Sequence, residues 1–449
     1  MNERSYMLEN DKISKVLMKL SLPATVGMVV NALYNIVDTI FIGRGVGTIA
    51  IGALAIAFPV QMIIMAIAQT VGIGGASAVS RSLGAKDVER ADKVAGNSFS
   101  SVFIVSIITA FLSFIFIEPI LKIFGATDNL LPYGVEYLRI ILIGSIYFPF
   151  VVCANNLIRA EGNAKVSMVI MVIGTGLNII LDPLFIFVFN MGIGGAAWAT
   201  IISQFASLIY VILYMYGGKS SLKVRFRHLK LEWAIIKEIF TVGFSSFARQ
   251  GAGSIVAIVV NNSLKFYGGD VAISIFGTVN KVIMFLFMPL FGVVQGMQPI
   301  VGYNYGAKKF ERVKETVKLS IIVTTILATT SVLIGELFPN LIMRVFTKDM
   351  YFIENSASVL RIIIAGIPVI GIQVVGATLF QSIGKAIPSL TMSLLRQVLF
   401  LIPLVLILPR IGNLGLLGIW IAYPIADILA TFVTGFLLKK EMKSMYSLE

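Results

Sequence analysis

Segments of this 449-residue chain recur at a fixed offset of 222 residues, and both copies are rich in apolar stretches. Gly84-Ala85-Lys86 with Glu89-Arg90 returns as Gly306-Ala307-Lys308 with Glu311-Arg312. Leu138-Arg139-Ile140-Ile141 returns as Leu360-Arg361-Ile362-Ile363, Gly162 as Gly384, and Trp198 as Trp420. A register held over that length implies duplication of one folding unit, which restricts the fold to two similar halves. Hydrophobic residues make up 57% of the chain and charged residues only 13%, with a mean hydropathy of +0.91. Soluble domains lie far from that composition. The expectation is an all-α membrane protein in which internal repeats enclose a central site, the common build of secondary transporters.

Apolar stretches long enough to cross a bilayer recur about every 37 residues, which predicts six helices per half and twelve in all. The expected spans are 16–42, 49–76, 94–117, 131–153, 165–189 and 193–216, then 234–262, 271–297, 317–338, 352–378, 386–408 and 414–438. An even number per half makes the two six-helix repeats parallel in the membrane. The expected domains are an N-terminal lobe over 1–216, a basic linker over 217–232 and a C-terminal lobe over 233–449.

The net charge of +13 reads as topology rather than as a nucleic-acid surface, because the basic residues gather in alternate loops. Arg4, Lys12, Lys15 and Lys19 lie on the same side as Arg81, Lys86, Arg90 and Lys93, and as the run from Lys219 to Lys237. Lys308, Lys309, Arg312, Lys385, Lys439 and Lys440 continue that side in the second half. Basic loops stay in the cytoplasm, so both termini are expected there, with the first span an uncleaved anchor. The single histidine, His228, is expected to be a solvated linker residue. With no second histidine and a lone Cys153 in an apolar span, no zinc or haem site is expected.

A charge in hydrocarbon costs at least about 2.5 to 3.5 kcal/mol, so each one inside a span needs a reason. In the first span Asn31, Tyr34, Asn35 and Asp38 are spaced three and four apart and share one helix face. In the fifth span Asn178 and Asp182 share a face, followed by Pro183, whose ring leaves the Ile179 carbonyl without its helical partner. Counting from the span ends at about 1.5 Å per residue places Asp38, Asp182 and Thr200 within roughly 6 to 12 Å of one boundary. Two carboxylates with an amide and a hydroxyl form a hard-oxygen set suited to Na⁺, and close carboxylates also hold a proton. A hydrogen-bond network that merely glues helices is the competing reading.

The repeat supplies an internal control. Adding 222 to Asn31, Asn35, Asp38, Asn178, Asp182 and Thr200 gives Gly253, Ala257, Val260, Phe400, Leu404 and Ala422, all without charge or polar side chains. The first lobe is therefore expected to be specialised for ion coupling, with Asn261 and Asn262 as the nearest polar candidates if the register slips. The second half carries Arg249, Lys281 and Arg396 with Asp427, expected either to pair or snorkel, or to attract an anionic group of a substrate. Met284 stands in a Met- and Phe-rich span, in which lipid contact explains most side chains and a pliable cavity would take the rest. Pro23, and Gly72, Gly74 and Gly75, are candidate bending points.

At Pro23 and the run from Leu33 to Gly43 the chain resembles the multidrug and toxic compound extrusion (MATE) family. The resemblance extends to Arg159-Ala160-Glu161-Gly162-Asn163, to Asn178 through Pro183, to Gln295 through Ile300 and to Gly302 through Ala307. It implies twelve helices in two six-helix lobes forming a V-shaped cavity, working as a monomer that exports amphipathic, often cationic compounds against Na⁺ or H⁺. The best match is to the DinF-like prokaryotic branch. In that branch Asp38, Asn178, Asp182 and Thr200 match the ion site, and Pro23 matches a proline at which the first helix bends.

These expectations converge on a secondary multidrug antiporter of a prokaryotic cytoplasmic membrane, with the coupling ion in place of any cofactor. Drug-like molecules, the coupling cation and membrane lipids are its expected partners. Tyr34, Asn31, Asn35, Lys281, Met284 and Arg396 are the candidates for the substrate cavity or coupling. A lipid-linked saccharide flippase is the alternative, supported by Arg249, Lys281 and Arg396 as bases for a pyrophosphate. No Gly-x-x-x-x-Gly-Lys loop points to ATP, and no nucleophile or metal-ligand motif points to an enzyme.

Overall fold

The computed structural model describes residues 3–446, apart from the side chains of residues 35, 36, 39, 48 and 446. Its helices are α1 (Glu3–Asn10), α2 (Ile13–Gly45), α3 (Thr48–Gly84), α4 (Val88–Ile115), α5 (Ile117–Ile123), α6 (Leu131–Gly144), α7 (Phe148–Ala160), α8 (Ala164–Pro183) and α9 (Gly192–Tyr216). They continue as α10 (Trp233–Gly306), α11 (Phe310–Leu337), α12 (Pro339–Arg344), α13 (Met350–Ile364), α14 (Ile370–Ser382), α15 (Ala386–Leu394), α16 (Ile402–Ile407) and α17 (Leu416–Tyr446). Among the described residues there is no strand.

Ten of these segments are long and apolar enough to cross a membrane, or eleven if α6 and α7, bent by 48°, form one span. The 74 residues of α10 would be about 110 Å of continuous helix, far more than a bilayer's apolar core of about 30 Å. Gly269, with φ 66° and ψ −161°, breaks it into two spans, which completes the expected twelve. The break between α6 and α7 falls just before Pro149, whose missing N–H cannot continue a helical ladder. Before it, the Ser145 hydroxyl donates to the carbonyls of Ile141 and Leu142, each at 3.1 Å.

The duplication is written into the backbone. Left-handed residues occur at Gly47 and Gly269, Lys86 and Lys308, Asn190 and Gly412, and Gly162 and Gly384, each pair at the sequence offset of 222. Left-handed conformation is costly for residues with a Cβ, so its recurrence at Lys86 and Lys308 marks the same turn built twice.

Cα packing resolves two compact units, and they are not the two sequence halves. One comprises Met1–Asp11 and Val26–Gly243, the other Lys12–Thr25 and Phe244–Glu449. The 217–232 linker and the start of α10 thus belong with the first unit, and the start of α2 with the second. Glycines make both exchanges. In the first unit a Cβ on Gly74 would lie 1.9 Å from the Ile239 carbonyl oxygen, and one on Gly243 would lie 1.9 Å from that of Thr70. In the second, a Cβ on Gly296 would stand 2.6 Å from the Ser21 nitrogen, and one on Gly292 1.9 Å from Thr25 Oγ1. Gly74 and Gly296 are again 222 apart. Gly72 meets Asn156 and Gly75 meets Ser98, so these three glycines serve close helix packing along the continuous α3.

The linker corrects another expectation. His228 is not solvated but 2% exposed; its Nδ1 accepts from the Arg225 N–H at 3.2 Å. It is covered because the linker folds onto α4. There a Cβ on Gly96 would lie 2.2 Å from the His228 carbonyl oxygen. Glu161, in the Arg159–Asn163 motif, is a second tie. Its carboxylate accepts from Arg4 at 3.0 Å, Ser220 at 2.9 Å and the Ser221 N–H at 2.6 Å, and from the Tyr214 hydroxyl. One buried carboxylate thereby fastens α1, the end of α9 and the linker together.

Candidate functional site

Three helices of the first unit supply the polar residues picked from the sequence: α2 brings Asn31, Tyr34 and Asp38, α8 brings Asn178 and Asp182, and α9 brings Thr200. Asn178 and Asp182 are 2% and 0% exposed. With its amide nitrogen turned toward Asp182, Asn178 donates to Asp182 Oδ2 at 2.8 Å and accepts from the Thr200 backbone N–H at 3.0 Å. Thr200 Oγ1 donates back to the Ala196 carbonyl at 3.0 Å, the local bond that hydroxyl side chains make inside helices. α8 and α9 are thus fixed together at the level of the carboxylate.

The carboxyl groups of Asp38 and Asp182 face each other within hydrogen-bonding reach. On each, Oδ1 is buried and meets no donor among the described groups. An unsatisfied buried oxygen is costly, and two on facing carboxylates more so. Carboxyl groups so placed can share a proton or suit a small hard cation. Tyr34 lies within hydrogen-bonding reach of Thr200 and beside both carboxylates and Tyr137.

Two members of this cluster escaped the sequence reading. Tyr137, on α6, is 4% exposed and lies beside Asp38 and Asp182. Gln61, on α3, donates to its hydroxyl at 3.4 Å. The signal available was weak: each is an uncharged polar side chain, and no carboxylate or amide stands three or four residues from it to mark a shared polar face. Asn31 is exposed, and the side chain of Asn35 lies outside the described residues.

The equivalent place in the second unit is a hydrophobic core. Val260, 1% exposed, and Ala422, fully buried, are members of the cluster, and Phe400 and Leu404 pack against it. Asn261 and Asn262 are exposed, so the register does not slip to install them. The second unit's charges sit elsewhere. Arg396 Nε donates to Asp427 Oδ1 in an ion pair. Gln373 backs that pair by donating to the Asp427 carbonyl at 2.7 Å and to Thr431 at 2.8 Å. Arg249 is partly buried and has no ion-pair partner among the described residues, while Lys281 and Met284 are exposed. Pro23 lies inside α2, two residues before that helix passes from one compact unit to the other.

A twelve-span helical bundle made by duplication, with a carboxylate pair kept in one copy and replaced by hydrocarbon in the other, has the build of a secondary transporter. The chain belongs to the MATE family of transporters: the MatE profile matches residues 23–184 and 243–407, one stretch in each repeat. It is 26% identical over 437 residues to the multidrug export protein MepA of Staphylococcus haemolyticus, covering 97% of this chain and 96% of that one. To MepA of Staphylococcus aureus it is 27% identical, covering 98% and 97%. The fold superimposes on a crystal structure of a MATE protein in complex with MaD3S with a TM-score of 0.95 at 26% identity, covering all of both chains. An outward-facing multidrug resistance MATE transporter of the MOP superfamily gives 0.94, also at 26% identity, covering 99% of each.

Proposed function

We propose that the protein exports amphipathic, often cationic drug-like compounds in exchange for Na⁺ or H⁺, with the coupling cation held between Asp38 and Asp182. The observation that carries this reading is the facing pair of buried carboxyl groups, each with an oxygen that no donor reaches. Asn178 holds Asp182 in place, and Thr200 holds Asn178. Tyr34 and Tyr137 add hydroxyl oxygens around the pair. The names of the MepA relatives support the substrate class, and the buried pair supports ion coupling as the driving force. The loop charges support a cytoplasmic membrane with both termini inside, and the family supports action as a monomer, within the DinF-like branch.

Coupling follows if cation and drug favour different arrangements of the molecule, since a ligand shifts an equilibrium only by its differential affinity. Arg396 bears on the alternative of a lipid-linked saccharide flippase: Asp427 already neutralises it, which removes one of the three bases offered to a pyrophosphate.

The test is uptake of a fluorescent organic cation into vesicles reconstituted with the protein, driven in turn by a Na⁺ gradient and by a pH gradient. Wild type is expected to transport under one of them, and Asp38→Asn and Asp182→Asn to lose at least about 90% of that rate. Gradient-driven transport that survives both substitutions would remove the coupling ion from this site.

A further inference from the structure

The linker between the repeats is folded onto α4 as a fixed surface. Asn97 Nδ2 donates to the carbonyls of His228 and Lys230 at 3.3 and 3.1 Å, and its Oδ1 accepts from the Glu232 N–H at 2.7 Å. Asp92 accepts from the Lys223 N–H at 2.7 Å, and Ser100 donates to the Leu229 carbonyl at 2.8 Å. Leu222 and His228 are buried beneath it. With its backbone satisfied on the protein side, the segment turns its remaining side chains outward. Phe226, on the linker, is 93% exposed and Trp233, at the start of α10, 77%, unusual for aromatic side chains. Lys223, Arg225 and Lys230 are exposed beside them. No carboxylate pairs with any of the three among the described residues, whereas Arg227 is taken by Glu89 at 2.8 Å.

We propose that this face of the linker is a binding surface for anionic lipid headgroups, with Lys223, Arg225 and Lys230 meeting the phosphates and Phe226 and Trp233 inserted at the headgroup level. Two features select a lipid surface over a soluble anion. The segment joins the end of α9 at Tyr216 to the start of α10 at Trp233, so it lies where spanning helices leave the membrane. It also pairs unpartnered bases with aromatic rings, and Trp and Tyr collect at that boundary because their rings are apolar on one side and wet on the other. Juxtamembrane bases next to anionic lipid each strengthen binding by roughly fivefold. The surface is independent of the carboxylate pair and of the transport direction. Its effect would be to hold the connection between the repeats against the membrane.

Native mass spectrometry of the whole protein, released from detergent with phosphatidylglycerol or phosphatidylcholine, tests this without reference to transport. The wild type is expected to retain phosphatidylglycerol at least about tenfold more tightly. Lys223→Gln, Arg225→Gln and Lys230→Gln combined should reduce that ratio at least tenfold with the melting temperature unchanged, and Phe226→Ser should weaken retention of both lipids. An unaltered ratio in the triple variant would overturn the proposal. Displacement of phosphatidylglycerol by millimolar inorganic phosphate would overturn it too, by making this a phosphate site. If the triple variant unfolds, the single substitution Arg225→Gln, expected to lower the ratio about fivefold, decides by the same criterion.

Discussion

Asn178 carries the positional logic of the proposed cation site, because one amide spans two helices: it donates to Asp182 and accepts from the Thr200 backbone. A hydrogen bond to an ionised group contributes about 1.5 to 3 kcal/mol. Asn178→Ala is therefore expected to raise the coupling-cation concentration for half-maximal transport by roughly tenfold or more. Its maximal rate should remain measurable, unlike that of Asp182→Asn. Titrating reconstituted protein with whichever cation drives transport checks this, and an unchanged midpoint would place Asn178 outside the site. At this scale much was legible in the sequence. Charges are expensive in hydrocarbon, so Asp38 and Asp182 announced themselves, and helical spacing attached Tyr34 and Asn178 to them. Tyr137 and Gln61 were not legible, since a neutral polar side chain without a carboxylate or amide at helical spacing has no pattern to betray it. His228 was misjudged for a related reason: what buries it, Asn97 and Gly96, is more than a hundred residues away.

Helices in this protein approach each other at glycines that differ sharply in what surrounds them, and substitution should separate the kinds. Gly74 crosses the start of α10 with backbone where its Cβ would be; backbone cannot swing aside as a side chain can. Gly74→Ala is expected to destabilise the protein by roughly 1 to 3 kcal/mol. Gly251, on α10, has nothing within 4 Å of the same position, so Gly251→Ala should be neutral or stabilise its helix by up to about 1 kcal/mol. Thermal melting in detergent compares the two, and equal melting temperatures would dismiss the packing role. The sequence displayed these glycines but not their purpose, because bending and close approach demand the same residue.

Pro23 sits in the helix that both compact units share, and its cost is local. A proline inside a helix is disfavoured by about 3 kcal/mol relative to alanine. A helix retained at that cost is one that gains from bending. Pro23→Ala is expected to raise the melting temperature and to slow transport several-fold, without altering the cation needed at half-maximal rate. Turnover equal to wild type would show that α2 works as a straight rod.

At the scale of the whole molecule, duplication and packing divide the chain differently, and the difference has consequences for folding. The sequence offset of 222 recovered the repeat, and the left-handed turns at Lys86 and Lys308 repeat it in the backbone. The partition into compact units was not legible, because it depends on which helix end finds which glycine. Residues Lys12–Thr25 pack within the unit that holds most of the second repeat, where Ser21 donates to the Val293 carbonyl at 3.4 Å. The linker and the first turns of α10, through Gly243, pack within the unit that holds most of the first. Each repeat thus lends its opening segment to the other's core. A chain cut after Gly218 would leave both fragments with a glycine-lined groove exposed and a helix end without its partner. Neither fragment is expected to accumulate alone in a membrane, since the uncovered backbone contacts have no substitute in lipid. Expressed together, the two should co-purify and regain the melting behaviour of the intact protein. Stable accumulation of residues 1–218 alone would mean that the exchanged segments are decoration and that each repeat folds by itself.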